Sequence, residues 1–556
     1  MNFVILISYY FVLLLSLIGY GYCFSKICLI NLNRYNFSVL GILGIIFLTF
    51  ISYLTNLFVS HNFAHNIIVH IVGISIFIFL FRKKLFCTKK FLKFITILFT
   101  IFCLCLLAKA HDDFGWYHLP YTLNISQNKF QFGLGTFNHG FKTPSSLFYT
   151  NSLFYLPGIN YFSFNFTQLF IFSFSIIYFF KKILTSYKNN NVIFFFSTFS
   201  LIFVSIVFYR LGEHGTDRSG QILLFIIITL IIEFIYSNKI NYKKLYLILI
   251  LGAYIITIKT YFVIYTLLLL PLIFYIRNDF QVYQKILKSR VVVFILCLLP
   301  LSLLTQFAST GCFLFPLKFS CHLGLDWSLN ENTINYLSRH YELWSKAGAN
   351  PNNFNLVDDK DLYISGVNWV ANWTSTYFFN KVSDLLLGIL AIILLSFIFF
   401  FKKSEKDILK NQSNVYTLFL SLLIILLIWF FKFPQLRYGG FVILASVVFL
   451  PFSYFILNFK LNKKLLISSK CLIAIAIVIF VGRNIDRIIK ETKIYNYKPL
   501  GYSFFRLEKH NFSTIDIGEG ITLNLTEGSC WSTNQPCSHR NNIKAKKKYG
   551  YIIYYE

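Results

Sequence analysis

Phe3-Val-Ile-Leu-Ile-Ser-Tyr-Tyr-Phe-Val-Leu-Leu-Leu-Ser-Leu-Ile-Gly-Tyr-Gly-Tyr22 carries no charged side chain. A helix rises 1.5 Å per residue, so about 20 such residues cross a hydrocarbon core of about 30 Å. Similar runs lie at Val39 to Val59, Val192 to Tyr209 and Leu385 to Phe401. They do not alternate apolar with polar residues, as the strands of a membrane barrel of about 10 residues each would. The chain has 556 residues, 56% hydrophobic and only 13% charged, and a mean hydropathy of +0.63. A soluble domain carries about a quarter charged residues, interspersed with apolar ones. The reading is an all-α polytopic membrane protein that lies in a lipid bilayer. The first run lacks the basic n-region and small-residue cleavage site of a signal peptide, so it is expected to remain as a helix.

The net charge of +29 does not point to nucleic acid. The basic residues cluster in short stretches between apolar runs, as topology-setting loop charges do, and no nucleic-acid-binding motif is present. Clusters at Lys26 with Arg34, at 82–90, Lys181 with Lys182, Lys239 with Lys243 and Lys244, 277–290, 402–410, and Lys460 with Lys463 and Lys464 read as cytoplasmic. Threading the chain between them gives about 14 transmembrane helices with both termini outside the cytoplasm. Residues 1–482 form the polytopic domain, with extracytoplasmic loops at 111–161, 210–220 and 310–381. Residues 483–556 form a small extracytoplasmic tail, with an α/β fold one option and strands expected near Ile521 to Leu525 and Tyr551 to Tyr555. Of eleven cysteines, Cys312 with Cys321 and Cys530 with Cys537 form two short pairs in segments placed outside, where disulfides persist.

The chemistry concentrates in His111-Asp-Asp-Phe-Gly-Trp-Tyr-His-Leu-Pro120, after the fourth apolar run. Only 22 acidic residues occur in the chain, and two stand side by side at a membrane boundary. If both are partly buried, repulsion raises one carboxyl and makes a base or shared proton site. A solvated loop or a helix cap is the plainer account of Asp112 and Asp113.

Asp113-Phe-Gly-Trp-Tyr-His-Leu-Pro120 resembles the Asp-x-x-x-Tyr-His-Leu-Pro motif of polytopic glycosyltransferases of the GT-C superfamily. That group includes protein O-mannosyltransferase-like and lipid A aminoarabinose transferase-like proteins. The likeness covers roughly residues 105 to 220, and more helices precede the acidic loop here than in the commonest members. The resemblance implies that Asp113 is the active-site acid, with Asp112 its neighbour and Tyr117 and His118 beside the substrate. It implies transfer of a sugar from a polyprenyl-phosphate donor to a hydroxyl of a glycan, lipid or protein acceptor, with inversion at the anomeric carbon. The location it implies is the bacterial inner (plasma) membrane, with the active face extracytoplasmic.

Such a reaction needs a carboxylate to take the acceptor proton and cations to hold the departing phosphate. Candidates on the same side are His139 and Lys142 in Asn138-His-Gly-Phe-Lys142, and Arg210, Glu213, His214, Asp217 and Arg218 around Gly212-Glu-His-Gly-Thr-Asp217. Lys259 interrupts an apolar run, and Arg437 and Tyr438 sit in Phe433-Pro-Gln-Leu-Arg-Tyr-Gly-Gly440. A charge near an apolar span is usually paired or functional, although Lys259 can equally snorkel to the interface. Glu233, inside an apolar run, is as readily an interfacial acid paired with Lys239. His111, His118 and His139 with the aspartates have the donor chemistry for a divalent cation. No phosphate-loop or His-Glu-x-x-His motif occurs. A polysaccharide polymerase or ligase would use similar outer arginines. A transporter or flippase of lipid-linked saccharide would more readily show paired halves with broken helices.

Overall fold

The computed structural model describes residues 2–30, 36–82, 88–106, 110–187, 191–237, 240–350, 352–355, 357–400, 412–456, 464–496, 498, 500–501 and 511–556. Arg34, Lys83, Lys84, Cys87, Lys239, the cluster at 402–410, Lys460 and Lys463 lie outside them.

The protein is largely helical. Its apolar helices are α1 (Phe3–Ile27), α2 (Phe37–Asn56), α3 (Phe63–Arg82), α4 (Thr88–Leu104), α5 (Phe166–Ser186), α6 (Asn191–Val207), α7 (Thr216–Ile235) and α8 (Tyr242–Ile258). They continue with α9 (Leu270–Ile276), α10 (Arg290–Thr310), α11 (Ser383–Phe400), α12 (Gln412–Lys432), α13 (Gly440–Ile456) and α14 (Lys464–Tyr495). Among the described residues nine helical segments are long and apolar enough to cross a membrane. Three more apolar helices, at 192–207, 260–276 and 440–456, are shorter. This is an integral membrane protein of the all-α polytopic class.

Close packing of the first helices rests on small residues. A Cβ on Gly21 would stand 1.8 Å from the Leu40 carbonyl oxygen, and one on Gly44 would stand 1.9 Å from that of Leu17. Where lipid surrounds a helix on all sides, backbones that approach this closely exchange hydrophobic drive for van der Waals contact.

Helix α7 runs through the centre, almost wholly buried, and separates two ends of the bundle. At one end the segments between helices fold on each other: the Phe130 amide donates to the Asn56 carbonyl (2.9 Å) and the His61 amide to that of Ile125 (3.1 Å). There the region 111–161 holds short helices at Leu119–Gln127 and Ser146–Ser152, and 310–381 holds Glu331–Lys346. Helix α7 begins inside the segment 210–220, so Asp217 and Arg218 stand on its first turn.

The boundary at 482/483 falls inside a helix, because α14 continues to Tyr495. Beyond it, the described residues 511–556 are strands and loops without a helix. Strands β1 (Phe512–Asp516), β2 (Thr522–Thr526) and β3 (Cys537–Ser538) form one sheet, β1 antiparallel and β3 parallel to β2. Strands β4 (Lys544–Lys548) and β5 (Tyr551–Tyr555) form a hairpin pairing Lys548 with Tyr551. Its two turn residues, Tyr549 and Gly550, both have positive φ (51° and 78°), the tight turn whose twist matches antiparallel strands. Disulfides join Cys312 to Cys321 and Cys530 to Cys537.

Candidate active site

Asp113 precedes one turn of π-helix, Phe114–His118, that runs directly into Leu119–Gln127. A π-turn inserts an extra residue and re-aims the side chains around it, a device frequent at functional sites. Here it stacks Tyr117 beneath Asp113, and the Tyr117 hydroxyl donates to Asp113 Oδ2 (3.0 Å). His111 Nδ1 accepts from the Asp113 amide (3.1 Å) and lies 3.5 Å from the same carboxylate oxygen.

Arg437 arrives from far along the chain. Pro434 and Gly439 (φ 86°) bracket a single 3-10 turn, Leu436–Tyr438, and a Cβ on Gly439 would meet the Tyr265 hydroxyl at 1.9 Å. The turn is fastened by its backbone. Gln221 Nε2 donates to the carbonyls of Leu436 (3.2 Å) and Arg437 (3.1 Å), the Tyr261 hydroxyl to that of Arg437 (2.9 Å), and the Leu436 amide to the Tyr377 hydroxyl (3.0 Å). So held, the guanidinium bridges two acids: Arg437 Nε bonds Asp217 Oδ2 at 3.0 Å, and a terminal nitrogen lies 3.8 Å from Asp113 Oδ2.

Asp217 sits on the first turn of α7, where the helix dipole favours a negative charge. Gly215 (φ 65°, ψ −139°) makes the sharp break before it, in a backbone region essentially confined to glycine. A Cβ there would also fall 2.4 Å from the His118 ring. Lys259, the residue capping α8, places its ammonium 3.0 Å from Asp217 Oδ1. Asp217 is therefore saturated by two cations at 9% side-chain exposure, whereas Asp113 stays 32% exposed and Arg437 37%.

Burial alone would raise the Asp113 carboxyl. His118, Arg437, His111 and the Tyr117 hydroxyl outweigh it and hold Asp113 below the ordinary carboxylate range, ionised at neutral pH. Burial also keeps Tyr117 a protonated donor, with the Asp113 charge adding to the effect. Burial pushes His118 down to about 3 against the pull of Asp113, and His139 down to about 4 with Lys142 adding to the effect. For Arg437, Asp217 and its tyrosine neighbours more than offset burial, and the guanidinium stays charged.

Seven of the residues singled out in the sequence thus share one site: Asp113, Tyr117, His118, His139, Asp217, Lys259 and Arg437, with Tyr438 lying under the Arg437 guanidinium (5.6 Å). The others stand apart. Asp112 is exposed and makes none of these contacts. Arg210 pairs with Glu213, and Arg218 lies over the rings of Phe208 (5.8 Å) and Phe441 (5.3 Å). Buried Lys142 has Arg540 and Glu556 of the tail as its charged neighbours. The His214 side chain lies outside the described residues. The histidines do not assemble a metal centre, for among the described residues no three His, Cys, Asp or Glu side chains come together in a way that could hold an ion. Glu233 pairs with Lys182 and Lys244 at the other end of the bundle.

Four contributors were not recognised in the sequence. Tyr261 and Gln221 act through the Arg437 backbone, which leaves no residue pattern to read. Tyr341, its ring 5.2 Å from that of His139, has a buried hydroxyl without a hydrogen-bond partner among the described residues. Trp531 comes from the tail: its amide donates to the Gly115 carbonyl (3.0 Å), and its ring covers Gly115 so closely that a Cβ there would lie 2.3 Å from it. The only hint was its position beside Cys530.

No curated protein and no solved structure matches the chain. A family model matches residues 1–444, a span that takes in every residue of the Asp113–Arg437 cluster and ends before α14 and the tail. With most of its length matched, the chain belongs to the family described as a domain of unknown function (DUF8201).

Proposed function

We propose that the protein is a membrane glycosyltransferase moving a sugar from a polyprenyl-phosphate donor to an acceptor hydroxyl. The observation that carries this reading is the meeting of a half-exposed, ionised Asp113 with an Arg437 guanidinium 3.8 Å away, both reachable from outside. The acceptor oxygen attacks the anomeric carbon, and its proton passes to Asp113. The bond from that carbon to the phosphate oxygen breaks with its electron pair going to the phosphate. Arg437 and Lys259 oppose the charge that grows there, the kind of preorganised stabilisation that is largest where water is scarce. Attack opposite the departing phosphate inverts the carbon. The orphan Tyr341 hydroxyl beside His139 is a group that a sugar hydroxyl would satisfy. Buried groups left unpaired in a protein alone are commonly those a ligand completes.

The site faces the extracytoplasmic side of a bacterial inner membrane in this reading. Support comes from the disulfides, which belong to an oxidising compartment. Trp531, next to Cys530, packs on Gly115, and Trp327, a few residues past Cys321, packs on Phe132 (4.7 Å), so both lie at the Asp113 end. Counting the three shorter apolar helices together with α4 and α8 brings the crossings to about fourteen, with both termini on the Asp113 side.

The test is to incubate the purified chain with radiolabelled polyprenyl-phosphate sugars and membrane acceptors, wild type beside Asp113→Asn. Transfer by wild type and a loss of about 10²- to 10⁴-fold in the variant is expected, the range for a general base. Normal turnover by a correctly inserted Asp113→Asn protein would sink the mechanism.

A further inference from the structure

Helices α6, α11 and α14 leave a groove of about 350 Å³ between them, at the lower end of the ~300–1,000 Å³ of small-ligand sites. Its walls are apolar, and small residues leave the room for it: Gly388 and Ala391 on α11, Ala476 on α14. Polar groups occur only at one mouth, Asp384 and Arg483. On α11 the lining runs from Asp384 to Leu395, and on α14 from Leu472 to Arg483. At 1.5 Å per residue each wall is about 16 Å deep, which is one leaflet of a hydrocarbon core of about 30 Å.

The mouth lies at the Asp113 end. Arg483 donates to the Ile206 carbonyl (2.9 Å) and lies 4.1 Å over the Tyr209 ring. Tyr209 opens the turn that leads, through Arg210 and Gly215, to Asp217. Among the described residues no carboxylate is in salt-bridge reach of Arg483, and its other contacts are a carbonyl and a ring. Asp384, on the facing wall, belongs to a helix that runs unbroken from Val370 to Phe400, and it lies outside salt-bridge reach of Arg483. One leaflet of apolar depth, with a cation that has no carboxylate partner among the described residues at its surface end, has the shape and charge of a site for a lipid with a phosphate head.

We infer that this groove holds the hydrocarbon chain of a prenyl phosphate, its phosphate at Arg483; the choice of a prenyl chain rests on the transferase reading of the Asp113 site. The chain would lie in the leaflet while the head reaches along the Tyr209–Asp217 turn.

The full chain in phosphatidylcholine nanodiscs is tested with radiolabelled farnesyl phosphate and farnesol. A Cβ on Gly388 meets nothing within 4 Å and Ala391 is exposed, so Gly388→Leu with Ala391→Leu adds bulk to the groove itself. That variant is expected to lose both ligands about tenfold or more, as a groove of this apolar area would require. Arg483→Gln, at an exposed position, is expected to lose farnesyl phosphate about tenfold while keeping farnesol, because only the charge-assisted bond is removed. Binding by the filled variant equal to wild type overturns the proposal. So does displacement of the label by an equal concentration of dioleoyl phosphatidic acid, which would make this a general phospholipid site. Groove-dependent binding without sugar transfer by wild type supports the groove and counts against the transferase reading. Undiminished transfer in the filled variant overturns the groove and leaves that reading intact.

Discussion

Helix α7 carries a buried acid near each end, and the two differ in where their cations come from. Asp217 and Glu233 are 16 residues apart, about 24 Å along the axis. Each is 9% exposed, and each meets two cations: Asp217 has Lys259 and Arg437, and Glu233 has Lys182 (2.5 Å) and Lys244 (3.6 Å). By composition the two clusters are nearly equivalent. Around Glu233 the lysines come from ordinary positions on α5 and α8, and no second acid shares them among the described residues. Around Asp217 one cation is an arginine on a backbone turn tied by four hydrogen bonds, and it also faces a second, more exposed carboxylate. A buried ion pair is therefore poor evidence of function on its own. What marks the Asp113 end is a second, more exposed carboxylate that shares Arg437 with Asp217.

That contrast can be broken by substitution. Asp113→Asn is expected to show the largest effect, the loss of transfer described above. Arg437→Lys keeps one charge but cannot span Asp217 and Asp113 with a planar fork; transfer should fall about 10²- to 10³-fold, the loss seen when one preorganised donor is removed. If Arg437→Lys turns over normally, the guanidinium geometry is irrelevant and the two clusters are alike after all. Trp531→Ala acts one step further out, by releasing Gly115 and with it the turn that carries Asp113. A drop in kcat of about tenfold with donor binding unchanged is expected, since small misplacements of a reacting group are costly. Equal loss of kcat and donor binding would instead mark a folding defect.

At the other end, Glu233→Gln should leave transfer within about twofold of wild type and shift stability by only about 1 kcal/mol, because both lysines are partly exposed and can rehydrate. Thermal unfolding in detergent reads the second quantity. A transfer defect in Glu233→Gln would show that the ends are coupled along α7. The smallest effect concerns Lys142, which burial, with Arg540 adding to it, pushes down to about 8 from 10.5. Between those values the unfolded chain binds more protons than the folded one, so stability rises with pH across that window and is flat below it. The Tm of wild type should climb from pH 8 to pH 10 relative to Lys142→Met, and parallel curves would show that Lys142 is solvated.

The membrane class was legible because the bilayer imposes a length and a composition that few other environments demand. The Asp113 turn was legible because acids are rare in this chain and two fell together. Neither the union of Asp113 with Arg437 nor the separation of Arg210, Glu213 and Arg218 from them could be read, since all of these residues look equally charged and equally close to a membrane boundary. Asp112 and Asp113 are adjacent in sequence, yet a single π-turn turns one inward toward Tyr117 and leaves the other in solvent. The two strand segments in the tail announced themselves through alternation and aromatic content. A partner of the second did not: the Phe132 amide donates to the Ile552 carbonyl (3.0 Å) and the Tyr554 amide to the Phe132 carbonyl (2.9 Å).

By itself, then, the sequence determined the solvent, the helical class, the cysteine pairs and the unusual acidic stretch around Asp113. These follow from local quantities: run length, spacing and residue type. Only the tertiary structure decided which cations reach Asp113, that the tail packs on Gly115 beside it, and that a groove has its mouth at the same end of the bundle. Those depend on contacts between segments hundreds of residues apart, whose geometry is set by helix packing and by backbone hydrogen bonds that any residue can make.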